Sequence, residues 1–211
     1  MNTSVGNTAR LLGAGLRALL VLTVICGVIY PLAVTAIAQA AFNDKANGSE
    51  IKNTEGRVVG SSLIGQSYGD DLRWFQGRPA AGLGENTINT QYKLLISGAS
   101  NKAADSPDLL KSVQEAKAKV LADNTVPGYT PREAQIPADA VTSSGSGLDP
   151  NISPQYAELQ VHRVAERNKL DVSRVEKLVK DNTEGRTLGF MGEPRVNVLK
   201  LNTALEALAA K

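Results

Sequence analysis

The most apolar stretch of the sequence covers residues 18–42 and contains no charged side chain. As a helix it would extend roughly 37 Å at about 1.5 Å per residue, which exceeds the hydrocarbon core of a bilayer, about 30 Å. Pro31 lies inside the stretch, where neighbouring membrane helices can absorb the kink that a proline introduces. The pattern therefore predicts one transmembrane helix, to which the rest of the chain is tethered.

Small side chains occur along this predicted helix. Glycine and alanine permit two membrane helices to approach closely, and a helix that serves only as a tether does not need them. We therefore predict that Gly27 and Ala33, together with the kink at Pro31, contact a partner helix in the membrane.

A cleaved secretory signal is the alternative interpretation of the N-terminus. Arg10 and Arg17 would be its basic start, and Ala36 and Ala38 would flank a small-residue cleavage site. The apolar run is longer than the roughly 7–15 residues that such a signal needs, which favours a membrane anchor. A buried helix of a soluble protein would need a larger protein around it.

The orientation of the helix in the membrane is predicted from the order of the segments rather than from the distribution of charge. Residues 1–17 contain two arginines and no acid, but basic residues also follow the run, so the positive-inside rule barely discriminates. A short basic start, one span and then a long domain are typical of a signal anchor. We predict a cytoplasmic N-terminus over residues 1–17 and an extracytoplasmic C-terminal domain.

Short strands and loops are predicted after the span. Residues 43–56 are polar and indicate a stalk, and residues 57–66 indicate two short strands joined by a tight turn. Residues 68–75 indicate a third extended segment. From residue 80 to residue 107 the sequence predicts a long loop, a length that suggests a functional segment or one ordered by a partner.

Helical periodicity governs the rest of the chain. It predicts helices over residues 108–123 and 154–168, the latter capped by Ser153, and a shorter helix capped by Asp171. A loop over residues 188–194 precedes a last helix over residues 196–210. The predicted fold class is therefore α+β, with one N-terminal transmembrane helix followed by a single mixed helix and strand domain over residues 57–211.

The composition of the domain argues against several classes of function. Two of the 23 Lys and Arg residues and none of the 21 Asp and Glu residues precede residue 43, so the domain has no net charge and no electrostatic motive for binding nucleic acid. The single cysteine, Cys26, lies in the span, and His162 is the single histidine. A disulfide in the domain is excluded, and neither a metal site nor a catalytic residue is predicted.

Catalytic motifs are absent as well. The sequence contains no phosphate-binding GxxxxGK[ST] loop, no HExxH, no GxSxG and no DKTG phosphorylation motif. A glycine-rich run formed by Ser144, Gly145, Ser146 and Gly147 would offer backbone N–H groups to an anion, with a plain loop as the alternative. This chain alone is therefore expected neither to pump nor to conduct.

Several motifs resemble one known family. They are GSSLIGQ at residues 60–66, FQGRP at 75–79, PADAV at 137–141, SGSGLDP at 144–150 with ISP at 152–154, RTLG at 186–189 and GEPRVNV at 192–198. In this order the chain resembles the C subunit of the Kdp-type potassium-transporting ATPase of bacteria. The resemblance extends from the span to the end of the chain.

This resemblance implies an accessory subunit in the bacterial inner membrane. Its partners would be a channel-like subunit that carries potassium, a P-type ATPase subunit and a small single-span peptide, and these would handle potassium and ATP. The family is held to stabilise the assembly and to raise its affinity for ATP. For a direct nucleotide contact, Gln160 and the run Ser144, Gly145, Ser146 and Gly147 are the candidates, although an extracytoplasmic domain would act on ATP only indirectly.

Our own hypothesis is that the domain caps the outer mouth of the channel-like subunit and steers ion entry. Two other classes of protein are also consistent with the sequence. One is a secreted or membrane-tethered binding protein unrelated to ion transport, and the other is a tethered enzyme.

Overall fold

The computed structural model describes residues 5–80, 82–87 and 92–210, and it divides the chain into the units Met1–Ser49 and Glu50–Lys211. The first unit is helical and the second contains helices and strands. The predicted α+β class with a long apolar N-terminal helix is confirmed. The unit boundary lies inside the predicted stalk, whose residues include the short helix α3, Asn43–Ala46, and a strand.

The first unit contains one apolar helix, Val5–Ala41, of 37 residues with a mean hydropathy of 2.4. It consists of α1, Val5–Val24, a π-helical turn, Ile25–Ile29, and α2, Tyr30–Ala41. The π turn ends two residues before Pro31, which has no N–H to donate to the preceding turn, and such a local widening accommodates the missing bond. Length and composition suffice for crossing a membrane, and the helix begins before the predicted residue 18.

Two small antiparallel sheets open the second unit. Strand β1, Glu50–Lys52, pairs with β2, Val58–Ser61. A second sheet has the order β3-β5-β4, in which β3 is Gln66–Ser67, β4 is Leu83–Gly84 and β5 is Lys93–Leu95. Of the two strands predicted within residues 57–66, the first is confirmed as β2. The second is displaced, because residues 62–64 form the turn and β3 begins only at Gln66, where it pairs with β5 rather than with β2. The predicted loop over residues 80–107 contains β4 and β5, and its residues 81 and 88–91 lie outside the described residues.

Four helices and a third sheet form the rest of the unit. The helices are α4, Pro107–Asn124, α5, Pro154–Asn168, α6, Val172–Asp181, and α7, Val198–Ala209. The sheet has the order β6-β8-β7, in which β6 is Asn151–Ile152, β7 is Thr183–Glu184 and β8 is Arg195–Asn197. Short 3₁₀ turns cover Glu133–Gln135 and Ala138–Ala140.

Helix α5 lies in the middle of the hydrophobic core. Eight of its residues are buried, including Ala157 and Val164, neither of which exposes any surface. Ser153 caps it as predicted, since its side chain accepts a hydrogen bond from the N–H of Tyr156 at 3.1 Å. The hydroxyl and the N–H of Ser153 also donate to Asp139, at 2.9 and 2.6 Å, which joins the PADAV motif to the start of this helix.

The last predicted helix differs from the structure in its start, and α6 differs in its cap. The last helix begins at Val198 rather than at residue 196, because Arg195–Asn197 forms the central strand of the third sheet. The N-cap position of α6 is Asp171 as predicted, but its side chain makes no capping hydrogen bond.

Candidate functional site

Turns and a bend occupy most of residues 69–74, where the sequence predicts an extended segment over residues 68–75, and buried side chains hold residues 72–76 in place. We call them the clamped segment. Arg163 of α5 is fully buried and donates hydrogen bonds to the carbonyl of Leu72 and, at 2.9 Å, to that of Trp74. Its Nε donates at 2.9 Å to Oδ1 of Asn124, a buried residue of α4. The backbone of the clamped segment therefore hydrogen-bonds to side chains rather than to a neighbouring strand.

Arg163 keeps its charge in this buried position. Burial lowers the pKa of Arg163 to about 10, which still leaves the guanidinium protonated at neutral pH. The acceptors of its hydrogen bonds are carbonyl and amide oxygens. The buried cation is thus stabilised by dipoles, and these acceptors would lose their charged donor if the side chain were removed.

Gln160, one of the predicted nucleotide contacts, belongs to the same network. It exposes no surface, and its Oε1 accepts hydrogen bonds from the N–H of Gln76 at 2.7 Å and from Arg163 at 2.6 Å. Its Nε2 donates to the carbonyls of Gln76 at 3.1 Å and Tyr156 at 3.3 Å. The nucleotide role of Gln160 stays a prediction. Its observed contacts hold the backbone of Gln76 and orient Arg163.

Helix α7 holds the clamped segment from another direction. The side chain of Asn202 accepts a hydrogen bond from the N–H of Phe75 at 2.9 Å and donates to its carbonyl at 3.0 Å. Phe75 is completely buried, and Trp74 packs partly buried against the core. Asn124, Arg163 and Asn202 were not predicted from the sequence, because a polar residue on a helix is expected in solvent until its distant partner is known.

A cleft of about 670 Å³ lies beside the clamped segment. Three aromatic side chains pack together on its wall, with ring centroids 4.6 Å apart for Tyr68 and Tyr92 and 6.1 Å apart for Tyr68 and Trp74. Oε1 of Gln66 and the hydroxyls of the two tyrosines are buried without a hydrogen-bond partner among the described residues. The wall is therefore both aromatic and polar.

Two tyrosines of the cleft wall stay neutral, and Arg73 beside them is paired with Asp71. Burial raises the pKa of Tyr68 well above its usual value and that of Tyr92 to about 12, so both phenols stay protonated. The Arg73 guanidinium lowers the pKa of Asp71 through a side-chain hydrogen bond and is in turn neutralised by this carboxylate at 2.8 Å. None of these groups is prepared as a base near neutral pH.

The glycine-rich run is packed against residues 96–98. The N–H groups of Gly147 and Leu148 donate to the side chains of Ser144 and Ser146, at 3.0 and 3.1 Å. The carbonyl of Ser146 accepts from the N–H of Gly98 at 3.1 Å. One N–H group of the predicted anion site, that of Gly147, is therefore already used within the loop, as is the N–H of the adjoining Leu148.

A basic side chain that was not predicted from the sequence supports this loop. Arg78, from the FQGRP motif, donates to the carbonyls of Thr142 at 3.4 Å and Ser143 at 3.3 Å, and it pairs with Asp149 at 3.3 Å. Two of the motifs that carry the family resemblance thus meet in space. The anion site predicted at Ser144, Gly145, Ser146 and Gly147 stays a prediction.

The remaining predicted site residues lie outside this region. Gly27 is part of the π turn, Pro31 is in the first turn of α2 and Ala33 follows it, and all three are exposed. His162 stacks on Tyr129 with a centroid distance of 3.9 Å. Among the described residues, no group of three or more His, Cys, Asp or Glu side chains is arranged to hold a metal ion.

Comparison with known proteins gives one consistent result. A sequence profile of the family described as "KdpC: K+-transporting ATPase, c chain" matches residues 12–207. The Potassium-transporting ATPase KdpC subunit of Streptomyces coelicolor is 63% identical over 221 residues, covering 100% of this chain and 98% of that protein. The protein of the same description from Methylococcus capsulatus is 50% identical over 191 residues, covering 90% of this chain and 94% of its own.

Proposed function

The chain belongs to the KdpC family, the c chains of K⁺-transporting ATPases, and on that premise we propose that it is a non-catalytic accessory subunit that stabilises the transporter. The observation that carries this proposal is the family match across residues 12–207, which includes both the apolar helix and the domain. A non-catalytic role is supported by the absence of a DKTG motif from the sequence. Phosphorylation by ATP must then occur on another subunit.

The proposed location is the bacterial inner membrane, crossed once by the apolar helix. Family membership and this helix together indicate a membrane protein. We place residues 1–17 in the cytoplasm and the C-terminal domain outside, because a short basic start before a single span is typical of this orientation.

The proposed partners are a potassium-channel-like subunit, a P-type ATPase subunit and a small single-span peptide. In the membrane they would contact the helix at Gly27, Pro31 and Ala33. A Cβ built on Gly27 would meet only Thr23 Cγ2, at 3.9 Å, so the backbone there is open to the close approach that small residues permit.

The domain is proposed to steer ion entry at the channel-like subunit and to affect ATP affinity only through the assembly. Support for an indirect effect on ATP comes from the amide of Gln160 and the N–H groups of Gly147 and Leu148, which are bonded within the protein. An extracytoplasmic domain would also be separated from cytosolic nucleotide by the bilayer.

Sidedness and co-purification test this function together. In a Cys26→Ser background, an Ala209→Cys variant is treated in intact cells with a membrane-impermeant thiol reagent, with Thr8→Cys as the matched control. We expect labelling at residue 209, protection at residue 8, an uncut chain by mass and co-purification of the other transporter subunits. Labelling at residue 8 alone would reverse the topology, and a cleaved chain that purifies by itself would overturn the proposal.

A further inference from the structure

The connection between β7 and β8 exposes three large apolar side chains. Leu188 is 80% exposed, Phe190 72% and Met191 51%. Single exposed apolar residues are ordinary on protein surfaces, but a contiguous group usually marks an interaction site. We call these three residues the hairpin tip.

The backbone holds the hairpin tip in a strained and defined conformation. The N–H groups of Thr187 and Met191 donate to each other's carbonyls at 2.9 and 3.0 Å, which closes the turn. Leu188 has a φ of +55°, a region that side-chain-bearing residues rarely adopt, and Gly189 follows with a φ of +83°. A strained backbone that displays an apolar side chain to solvent suggests that the display itself is useful.

The base of the hairpin is fixed in the core. In β8, Val196 exposes no surface, and the side chain of Asn197 donates to the carbonyl of Ser62 at 2.8 Å while accepting from the N–H of Lys200 at 3.1 Å. The hairpin tip is therefore presented on a rigid support. Such preorganisation lowers the entropic cost of binding.

The charges around the hairpin tip distinguish between possible occupants. Arg186 pairs with Glu193 at 2.8 Å, and Glu184 pairs with Arg195 at 3.0 Å and Lys200 at 3.1 Å. Each of the three basic groups thus has a carboxylate partner, with Glu184 shared by two of them, whereas a loop that binds anionic lipid relies on unpaired basic residues. An apolar centre with an ion-paired polar rim is the composition of a protein–protein interface.

We propose that the hairpin tip docks into an apolar hollow, rimmed by hydrogen-bonding groups, on another protein subunit of the potassium-transporting complex. This inference rests on the proposed function, because it takes the partner to be a transporter subunit. Phe190 is the anchor, since aromatic residues at the centre of a patch contribute most to such contacts.

A fluorescent probe on the hairpin tip tests this docking in the full chain. In a Cys26→Ser background, Phe190→Cys is labelled with an environment-sensitive fluorophore, and Leu110→Cys on α4 is the matched control because Leu110 is 60% exposed. Each labelled chain is placed in nanodiscs both alone and assembled with the other subunits. We expect the probe at residue 190 to shift to shorter wavelength and to lose its quenching by aqueous iodide only on assembly. The probe at residue 110 should not change.

Other results identify other occupants and overturn the inference. Quenching at residue 190 by spin-labelled lipid in the chain alone would indicate a lipid surface, and protection that rises with the concentration of the chain alone would indicate a second copy. Unchanged iodide access in an assembly that forms normally would refute the docking and leave the proposed function intact. A wild-type chain that does not assemble with the transporter subunits would refute both.

Unlabelled variants measure the size of the effect. Phe190→Ser should weaken association with the other subunits at least about tenfold, as expected for an aromatic anchor, whereas Leu110→Ser should leave association unchanged. Both variants should keep the wild-type thermal unfolding temperature, because both side chains are largely exposed. Equal association of the two variants would contradict the inference.

Discussion

The clamped segment and the hairpin tip are both irregular pieces of chain, but they are held in opposite ways. The clamped segment is surrounded by the buried polar side chains of Gln160, Arg163 and Asn202 and has its backbone groups bonded to them. The hairpin tip is closed by its own backbone hydrogen bonds and leaves its side chains in solvent. Irregular structure can therefore serve either to complete a core or to display a surface, and the difference predicts how each region responds to substitution.

The largest expected effect is at the centre of the clamp. Arg163→Met should lower the free energy of unfolding by about 3–5 kcal/mol, because it removes a buried donor and leaves buried carbonyl and amide acceptors unsatisfied. Trp74, the single tryptophan, lies in the clamped segment, so its fluorescence during urea unfolding of the full chain reports the loss directly. Arg167→Met, an exposed position on the same helix, is the control and should change stability by less than about 0.5 kcal/mol. Similar losses of unfolding free energy in both variants would show that the buried hydrogen bonds of Arg163 stabilise the domain no more than an exposed side chain does.

A second prediction concerns the loop that Arg78 supports. Gly147 has a φ of +70°, and a Cβ there would lie 2.6 Å from the carbonyl oxygen of Gly98, so Gly147→Ala should destabilise the domain by about 2–3 kcal/mol. A Cβ on Gly145 would meet nothing within 4 Å, so Gly145→Ala should be close to neutral. Thermal unfolding of the full chain measures both. A loop that acts mainly by offering N–H groups to an anion would instead show changed nucleotide response in both variants without this difference in stability.

The sequence was sufficient to predict the elements whose signals are local. The apolar run, the proline that begins α4, and the cap Ser153 followed by Pro154 at the start of α5 each determine a helix through neighbouring residues. The strands β4 and β5 were missed because they are only two and three residues long and depend on pairing with each other.

The hydrogen bonds that hold the clamped segment were not predicted, because they join residues that are distant in sequence. Arg163 reaches Leu72 across 91 positions, and Asn202 reaches Phe75 across 127. The spacing of Gln160 and Arg163 by three residues on an otherwise apolar helix face is the one local signal that two polar side chains enter the core together. The loop over residues 188–194 was predicted, but the exposure of its apolar side chains depends on how β7 and β8 pair.

A third prediction separates stability from association at the hairpin tip. Leu188→Gly should raise the free energy of unfolding by about 0.5–1 kcal/mol. Glycine adopts the left-handed conformation without strain, and this gain exceeds the entropy that glycine adds to the unfolded chain. The same variant should bind the other subunits more weakly, because it removes one exposed apolar side chain. Urea unfolding and co-purification measure the two effects. A loss of stability would show that Leu188 packs within the domain rather than serving a partner.

The smallest effect is expected at the stem of the hairpin, where Glu184 joins β7 to β8 and α7. Hydrogen bonding from Lys200, with the nearby Arg195, holds the pKa of Glu184 below its usual 4.5. Since the pKa is lowered in the folded state, the interaction stabilises the fold above the unfolded-state pKa, and this contribution is lost as the pH falls through the folded-state value.

The side chain of Glu184 is 42% exposed, so solvent limits the contribution to about 0.5 kcal/mol. Glu184→Gln should therefore be less stable than the wild type by about this amount at neutral pH, and the two should converge in acid, where the wild-type carboxyl is also uncharged. Unfolding free energies measured across a pH series at low salt give the comparison. A difference that persists in acid would mean that Glu184 supports the hairpin by packing and neutral hydrogen bonds, and the stem would then resemble the clamped segment more than the exposed tip that it supports.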